Sequence, residues 1–274
     1  MTAAKSLGGV LVLAVLLLGC GSSNGTTTTT APASAVPVVT GKLIPPPKPR
    51  ETIGQAVKRI GVTISSHNCA QINRLTALTR QYDVCSGLES LATVPVTGSA
   101  SYGDGGGVIE YGSGPALRNA ILIVDSDGLY HLPLVDPYNT EPSVGTEFSS
   151  RFDGAAQDTV KALRDGDCDA FKRVALARFG PGSTPDLTCT YVSESPLTQF
   201  VVKYPQAEPK RLGGNGDYAF YGVSSPEANF TMVMARESAT GAAAGAPSLP
   251  SDAPEYGFVD AYQTNPTTTG PPPG

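Results

Sequence analysis

Apolar residues recur along the chain with two periods, first helical and then strand-like, and this succession occurs twice. Ile53, Ala56, Val57, Ile60 and Ile64 fall at i, i+3, i+4, i+7 and i+11, the stripe of an amphipathic helix. Ala156, Thr159, Val160 and Leu163 trace the matching face about a hundred residues later. Asn68 and Asp167 stand just before Cys69 and Cys168, where a side-chain oxygen can cap a new helix. On that second helix Ile72 and Leu75 match Phe171 and Val174. After Cys85 and Cys189 the period becomes strand-like. Gly103, Gly106, Tyr111, Gly112 and Asn119 match Gly213, Gly216, Tyr221, Gly222 and Asn229 at one ungapped offset of 110 residues. The run Ile121-Leu122-Ile123-Val124 then matches Thr231-Met232-Val233-Met234. Ser126-Asp127-Gly128 predicts a hairpin turn, and the return strands end in Val135-Asp136-Pro137-Tyr138 and Val259-Asp260-Ala261-Tyr262. Extra residues in the second hairpin lie within Ser238 to Glu255, an Ala-, Gly-, Pro- and Ser-rich stretch that reads as a surface loop. The pattern predicts an α+β fold of two tandem modules, residues 51–140 and 151–265, with a connector at 141–150.

The N-terminal region has a different character. Lys5 precedes an apolar run from Leu7 to Leu18, which is shorter than the ~20 residues that span a bilayer and reads as the core of a secretory signal. Its ending, Leu17-Leu18-Gly19-Cys20, resembles the lipobox of bacterial lipoproteins. The resemblance implies cleavage after residue 19 and acyl chains such as palmitate on Cys20, hence a membrane anchor on the extracytoplasmic face. Residues 20–50 carry a threonine run and Pro45-Pro46-Pro47. That composition predicts a disordered tether, and residues 266–274 read as a disordered tail.

Charge excludes one class of partner. The formal net charge is −5, and no basic cluster is dense enough to follow a phosphate backbone, so nucleic acid is not expected. Export makes disulfides the expected state of Cys69, Cys85, Cys168 and Cys189. Four cysteines allow three pairings, and the repeated pattern selects Cys69–Cys85 and Cys168–Cys189. No His or second Cys sits at ligand spacing beside either pair, so no metal site is expected.

Two helices joined through Gly166-Asp167-Cys168-Asp169-Ala170-Phe171, a later cysteine and meandering strands resemble exported members of the NTF2-like superfamily. The resemblance covers Gly154 to Tyr262 and, more loosely, Thr52 to Tyr138. It implies a curved antiparallel sheet wrapped around helices to leave a cone-shaped cavity. It does not imply one activity, because the superfold hosts many.

Candidate chemistry is sparse. His67 and His131 read as a solvated loop residue and a structural one. Asp136 and Asp260 are the best acid–base candidates, each beside a tyrosine, Tyr138 or Tyr262, since burial would raise a carboxyl pKa. The bland reading of both pairs, a strand-ending Asp and a packed Tyr, is preferred. Gly103-Asp104-Gly105-Gly106-Gly107 precedes a strand rather than a helix and reads as a flexible turn, not a phosphate cradle. Asp125-Ser126-Asp127-Gly128 lacks the later Glu of a calcium loop. The expectation is a lipid-anchored envelope protein without cofactor that binds a small molecule or protein. The alternative is an acid–base enzyme of isomerase, dehydratase or cyclase type using an Asp–Tyr pair.

Overall fold

A computed structural model of the chain describes residues 41–75, 85–113, 117–136, 147–176, 185–236 and 254–264. Cys20, the signal segment, Tyr138, most of the Ser238–Glu255 stretch and the tail at 266–274 lie outside the described residues. The first half opens with helix α1, Ile53–Ser65, which Thr52 starts through a capping box with Gln55. Ala56, Ile60 and Ile64 of its predicted stripe are buried. Helix α2, Cys69–Asn73, follows, with the Asn68 carboxamide oxygen accepting from the Gln71 amide at 3.2 Å. Helix α3, Cys85–Glu89, brings the second cysteine back, and the Cys69 and Cys85 Cα atoms lie 5.1 Å apart in a disulfide.

The second half runs through the same steps. Helix α4, Arg151–Asp165, ends at Gly166 in the left-handed region, and Asp167 then caps α5, Cys168–Val174, by accepting from the Ala170 amide at 2.8 Å. His67 occupies the place of Gly166 and is the one non-glycine residue with positive φ, at 50°, among the described residues. The turn geometry is thus kept where a side chain makes it strained. Helices α6, Pro185–Glu194, and α7, Pro196–Lys203, complete this half. Cys189 on α6 pairs with Cys168, with Cα atoms 5.2 Å apart.

Each half then forms a four-stranded antiparallel meander. Strands β1 (Val96–Tyr102), β2 (Gly106–Tyr111), β3 (Arg118–Val124) and β4 (Tyr130–Asp136) make the first sheet. The second is β5 (Lys210–Gly214), β6 (Tyr218–Ser224), β7 (Asn229–Arg236) and β8 (Tyr256–Gln263). The architecture is α+β, as the periodicity predicts. The ungapped 110-residue correspondence, however, does not survive strand pairing. Tyr111 pairs with Arg118, whereas Tyr221 pairs with Met232, four residues past the position that offset requires. The hairpins of the two halves differ in length, so the matched residues cannot all be structural equivalents.

Both halves fall in one compact body, Val39–Gly274, and the core has three parts. Ala120, Leu122 and Val124 of β3 turn toward the helices of the first half. Ala219, Tyr221 and Met232 turn toward those of the second, where Phe171 stacks on Tyr191 at 5.4 Å and meets Phe258 at 5.5 Å. The alternate residues of both sheets face each other: Val108, Ile121 and Ile123 pack with Tyr218, Phe220, Val233 and Tyr262. The layers are therefore helices, sheet, sheet, helices, and the central strands are buried on both faces. Such strands read as continuous apolar runs, which is the character of Ile121 to Val124.

The glycine-rich segment after β1 is a contact surface rather than a free turn. A Cβ at Gly105 would lie 2.6 Å from the Phe220 Cβ. Gly103 and Gly213 lie where a methyl would meet the backbone of Leu212 and Tyr102 respectively. The two sheets meet here backbone to backbone.

This geometry separates two glycine substitutions. Gly61→Ala lies on α1 with nothing within 4 Å of the new methyl, and should raise stability by about 0.5–1 kcal/mol. Gly213→Ala should lower it by more than about 2 kcal/mol, because the obstacle is backbone and cannot rotate away. Urea unfolding of the two variants measures both, and a neutral Gly213→Ala would contradict close sheet contact at that point.

Candidate functional site

The segment Gly41–Arg50, assigned by composition to a disordered tether, packs against the folded body. Prolines at 45, 46, 47 and 49 lack amide donors and fix φ, so the segment cannot join a ladder and stays extended. Two of its amides bond to the folded body, one toward each end. Ile44 N donates to Ser225 O at 3.0 Å, and Arg50 N donates to Gly128 O at 2.8 Å. Between them the Asn229 carboxamide donates to Pro45 O at 2.8 Å. The segment thus straps the second half to the first. Two glycines make room for it: Gly222 faces the Pro46 ring, and Gly128 lies under the Arg50 side chain. Just beyond, Glu51 accepts from the Tyr130 amide at 2.8 Å and from the Arg59 guanidinium at 2.5 Å, which fixes the strap's end to β4.

Two recesses flank the strap and share Ile44, Pro45 and Pro46 as a common wall. One, of about 430 Å³, is completed by Lys48, Arg50, Ser126, Gly128 and Thr264. The other, of about 530 Å³, is bounded by Leu43, Tyr204, Glu208, Lys210, Gly222 and Ser224. The Glu208 carboxylate is engaged by Arg164 at 3.3 Å. Lys48, Arg50 and Lys210 have no ion-pair partner among the described residues. The recesses offer proline rings, hydroxyl groups and uncompensated positive charge. That set suits binding and orienting a ligand more than moving protons.

The sequence-predicted acid–base residues lie elsewhere. Asp260 is 3 % exposed and Tyr262 1 %. They sit on the face of β8 that packs against the first sheet. The Asp260 carboxylate accepts from the Ala261 amide at 2.8 Å, and neither residue lines a recess. Asp136 ends β4 opposite Asn119, whereas Asp260 pairs with Val233. The two Val-Asp-x-Tyr motifs are therefore not brought to matching neighbours, and Tyr138 lies outside the described residues.

A polar group sits on the β3–β4 hairpin, next to the first recess, and its buried acid, Asp125, is not among the sequence-predicted acid–base residues. His131 is held by Asp127, with Nε2 3.1 Å from Oδ2. Asp125 is 2 % exposed and accepts from the Ser126 amide at 2.6 Å. Its Oδ2 has no hydrogen-bond partner among the described residues. Burial pushes the Asp125 carboxyl above the usual range, while the Ser126 amide and nearby His131 pull it back. Asp125-Ser126-Asp127-Gly128 forms the turn of the β3–β4 hairpin, as Ser126-Asp127-Gly128 predicts, and the burial of Asp125 is what its local sequence does not reveal. Across the sheet interface, Asn215 donates to the Tyr102 hydroxyl at 3.0 Å and Asn119 to the Tyr218 hydroxyl at 3.1 Å. Burial, with Asp217 and Glu110 adding negative charge, pushes the Tyr102 phenol up to about 12.

One set of potential metal ligands occurs among the described residues, Cys69, Cys85 and Glu89. Its two sulfurs are consumed by the disulfide. No known family model, curated protein or solved structure matches the chain.

The buried acid gives a prediction with a definite sign. A carboxyl whose folded pKa is raised loses stability as pH rises through that value and regains it on protonation. Asp125→Asn should therefore melt higher than wild type at pH 7, with the gap closing as the solution is acidified. Calorimetric scans across that range test this. A variant less stable at pH 7 would show that the ionised carboxylate is stabilised by its surroundings.

Proposed function

We propose that this chain is a lipid-anchored protein of the cell envelope, held at the extracytoplasmic face through Cys20, with a non-catalytic binding role exercised along the strap. The lipobox-like ending Leu17-Leu18-Gly19-Cys20 supports the anchor. The observation that carries the binding role is the recess lining: proline rings, hydroxyls and cations without an ion-pair partner among the described residues. The enclosure of Asp260 and Tyr262 between the sheets supports the same reading. We take the halves to be tandem modules of one NTF2-like origin. In support, both have capped helices opening at a disulfide cysteine and the same meander order.

A second reading, acid–base catalysis, draws on the buried Asp125 and His131 beside Ser126, which lines the first recess. It assigns the chemistry to different residues from the Asp–Tyr pairs. The two readings separate once an activity is in hand, because losing a general base costs about 10²–10⁴ in rate.

Two measurements test the proposal together. Cys20→Ser should leave an uncleaved precursor without acyl mass, while wild-type protein carries the acyl chains. Hydrogen exchange of the wild-type chain, with and without a small-molecule and lipid extract of cell envelopes, should slow at the Ile44 and Arg50 amides. Protection confined to sites away from the strap would overturn the binding site, and an unacylated wild-type mass would overturn the anchor.

A further inference from the structure

We infer that the strap surface is the membrane-facing side of the protein and that its recesses take the anionic headgroups of the bilayer. This rests on the anchored, strap-binding reading above and names the ligand class for it. Charge complementarity carries the argument. The chain as a whole is acidic, at −5, yet Lys42, Lys48 and Arg50 fall within one ten-residue strap, and Lys210 stands across the second recess. None has an ion-pair partner among the described residues, and the one acid lining a recess, Glu208, is already engaged by Arg164. Apolar exposure coincides with this charge. Leu43, 48 % exposed, lines the second recess. An exposed aliphatic side chain among cations is the composition of a surface that rests in a headgroup layer.

The recesses add what a flat basic patch lacks. Ser126 and Thr264 close the first beside Lys48 and Arg50, so an entering phosphate would meet hydroxyl groups as well as charge. Proline supplies rigid apolar walls with no competing amide donors. The strap also follows the tether directly in sequence. It begins 21 residues after Cys20, so in the anchored reading it is the described part of the chain nearest the anchor in sequence. Each free cation close to an anionic surface is worth about fivefold in affinity, so two are worth about 25-fold.

The test uses the acylated full-length chain reconstituted into vesicles of phosphatidylcholine, with or without phosphatidylglycerol, and reads hydrogen exchange by mass spectrometry. Phosphatidylglycerol should slow exchange at Ile44 and Arg50 and leave the central strands unchanged. Lys48→Gln with Arg50→Gln should remove that protection, and so should raised salt. A second arm adds glycerol phosphate to the protein in phosphatidylcholine vesicles. Weak protection there that the same variant abolishes would support headgroup recognition in the recess. Equal exchange in both vesicle types, or protection that persists in the double variant, overturns the proposal. A chain that fails to stay with vesicles of either composition refutes the anchored reading instead, so the two failures are distinguishable.

Discussion

Everything in this molecule is arranged around the contact between its two sheets. That contact needs backbone-to-backbone approach where Gly103 and Gly213 meet Leu212 and Tyr102, and it buries Val108, Ile121 and Ile123 against Tyr218, Phe220 and Val233. Among the described residues the central strands are covered on one face by helices and on the other by the neighbouring sheet. The two recesses lie at turns and strand ends instead. The strap runs there, between Ser225 on one sheet and Gly128 on the other. The position of the candidate site follows from the way the core is closed.

The polar groups divide in the same way. Those inside the sheet interface are hydrogen-bonded across it, Tyr102 to Asn215 and Tyr218 to Asn119, and they fix the alignment of the halves. Those at the strap, Lys48, Arg50 and Lys210, have no counter-charge among the described residues. Buried polar groups demand partners, so the interior is the wrong place to seek an open reactive pair here, and Asp260 with Tyr262 belongs to the interior. Asp125 is one of several exceptions. It is buried with one oxygen unbonded among the described residues, next to a recess and not between the sheets.

What could be read from the sequence was local. The stripe Ile53 to Ile64, the Asn68 and Asp167 caps and the cysteine pairings depend on residues within about twenty positions of one another, and each appears in the structure. The strap illustrates the opposite case. Its prolines have the composition of a disordered linker, and its order comes from Asn229, 184 residues away, together with Gly222 and Gly128. The one-offset match of the halves failed for a related reason, because a few residues gained or lost in a hairpin leave the sequence similarity visible and change every cross-strand pair. The run Ile121 to Val124 did contain the missing fact. Four consecutive apolar residues in a strand are buried on both sides, which a sheet lining an open cone does not require.

Native-state hydrogen exchange in the variant Phe220→Ala tests the shared interface most directly. Phe220 belongs to the second sheet, is fully buried and stacks on Tyr102 of the first with ring centroids 6.1 Å apart. Its loss should cost about 3–5 kcal/mol. If the sheets form one cooperative unit, the opening free energies at Ile121 in the first and Val233 in the second should fall by the same amount. A fall at Val233 with Ile121 unchanged would mean that the halves unfold independently, and would contradict the account.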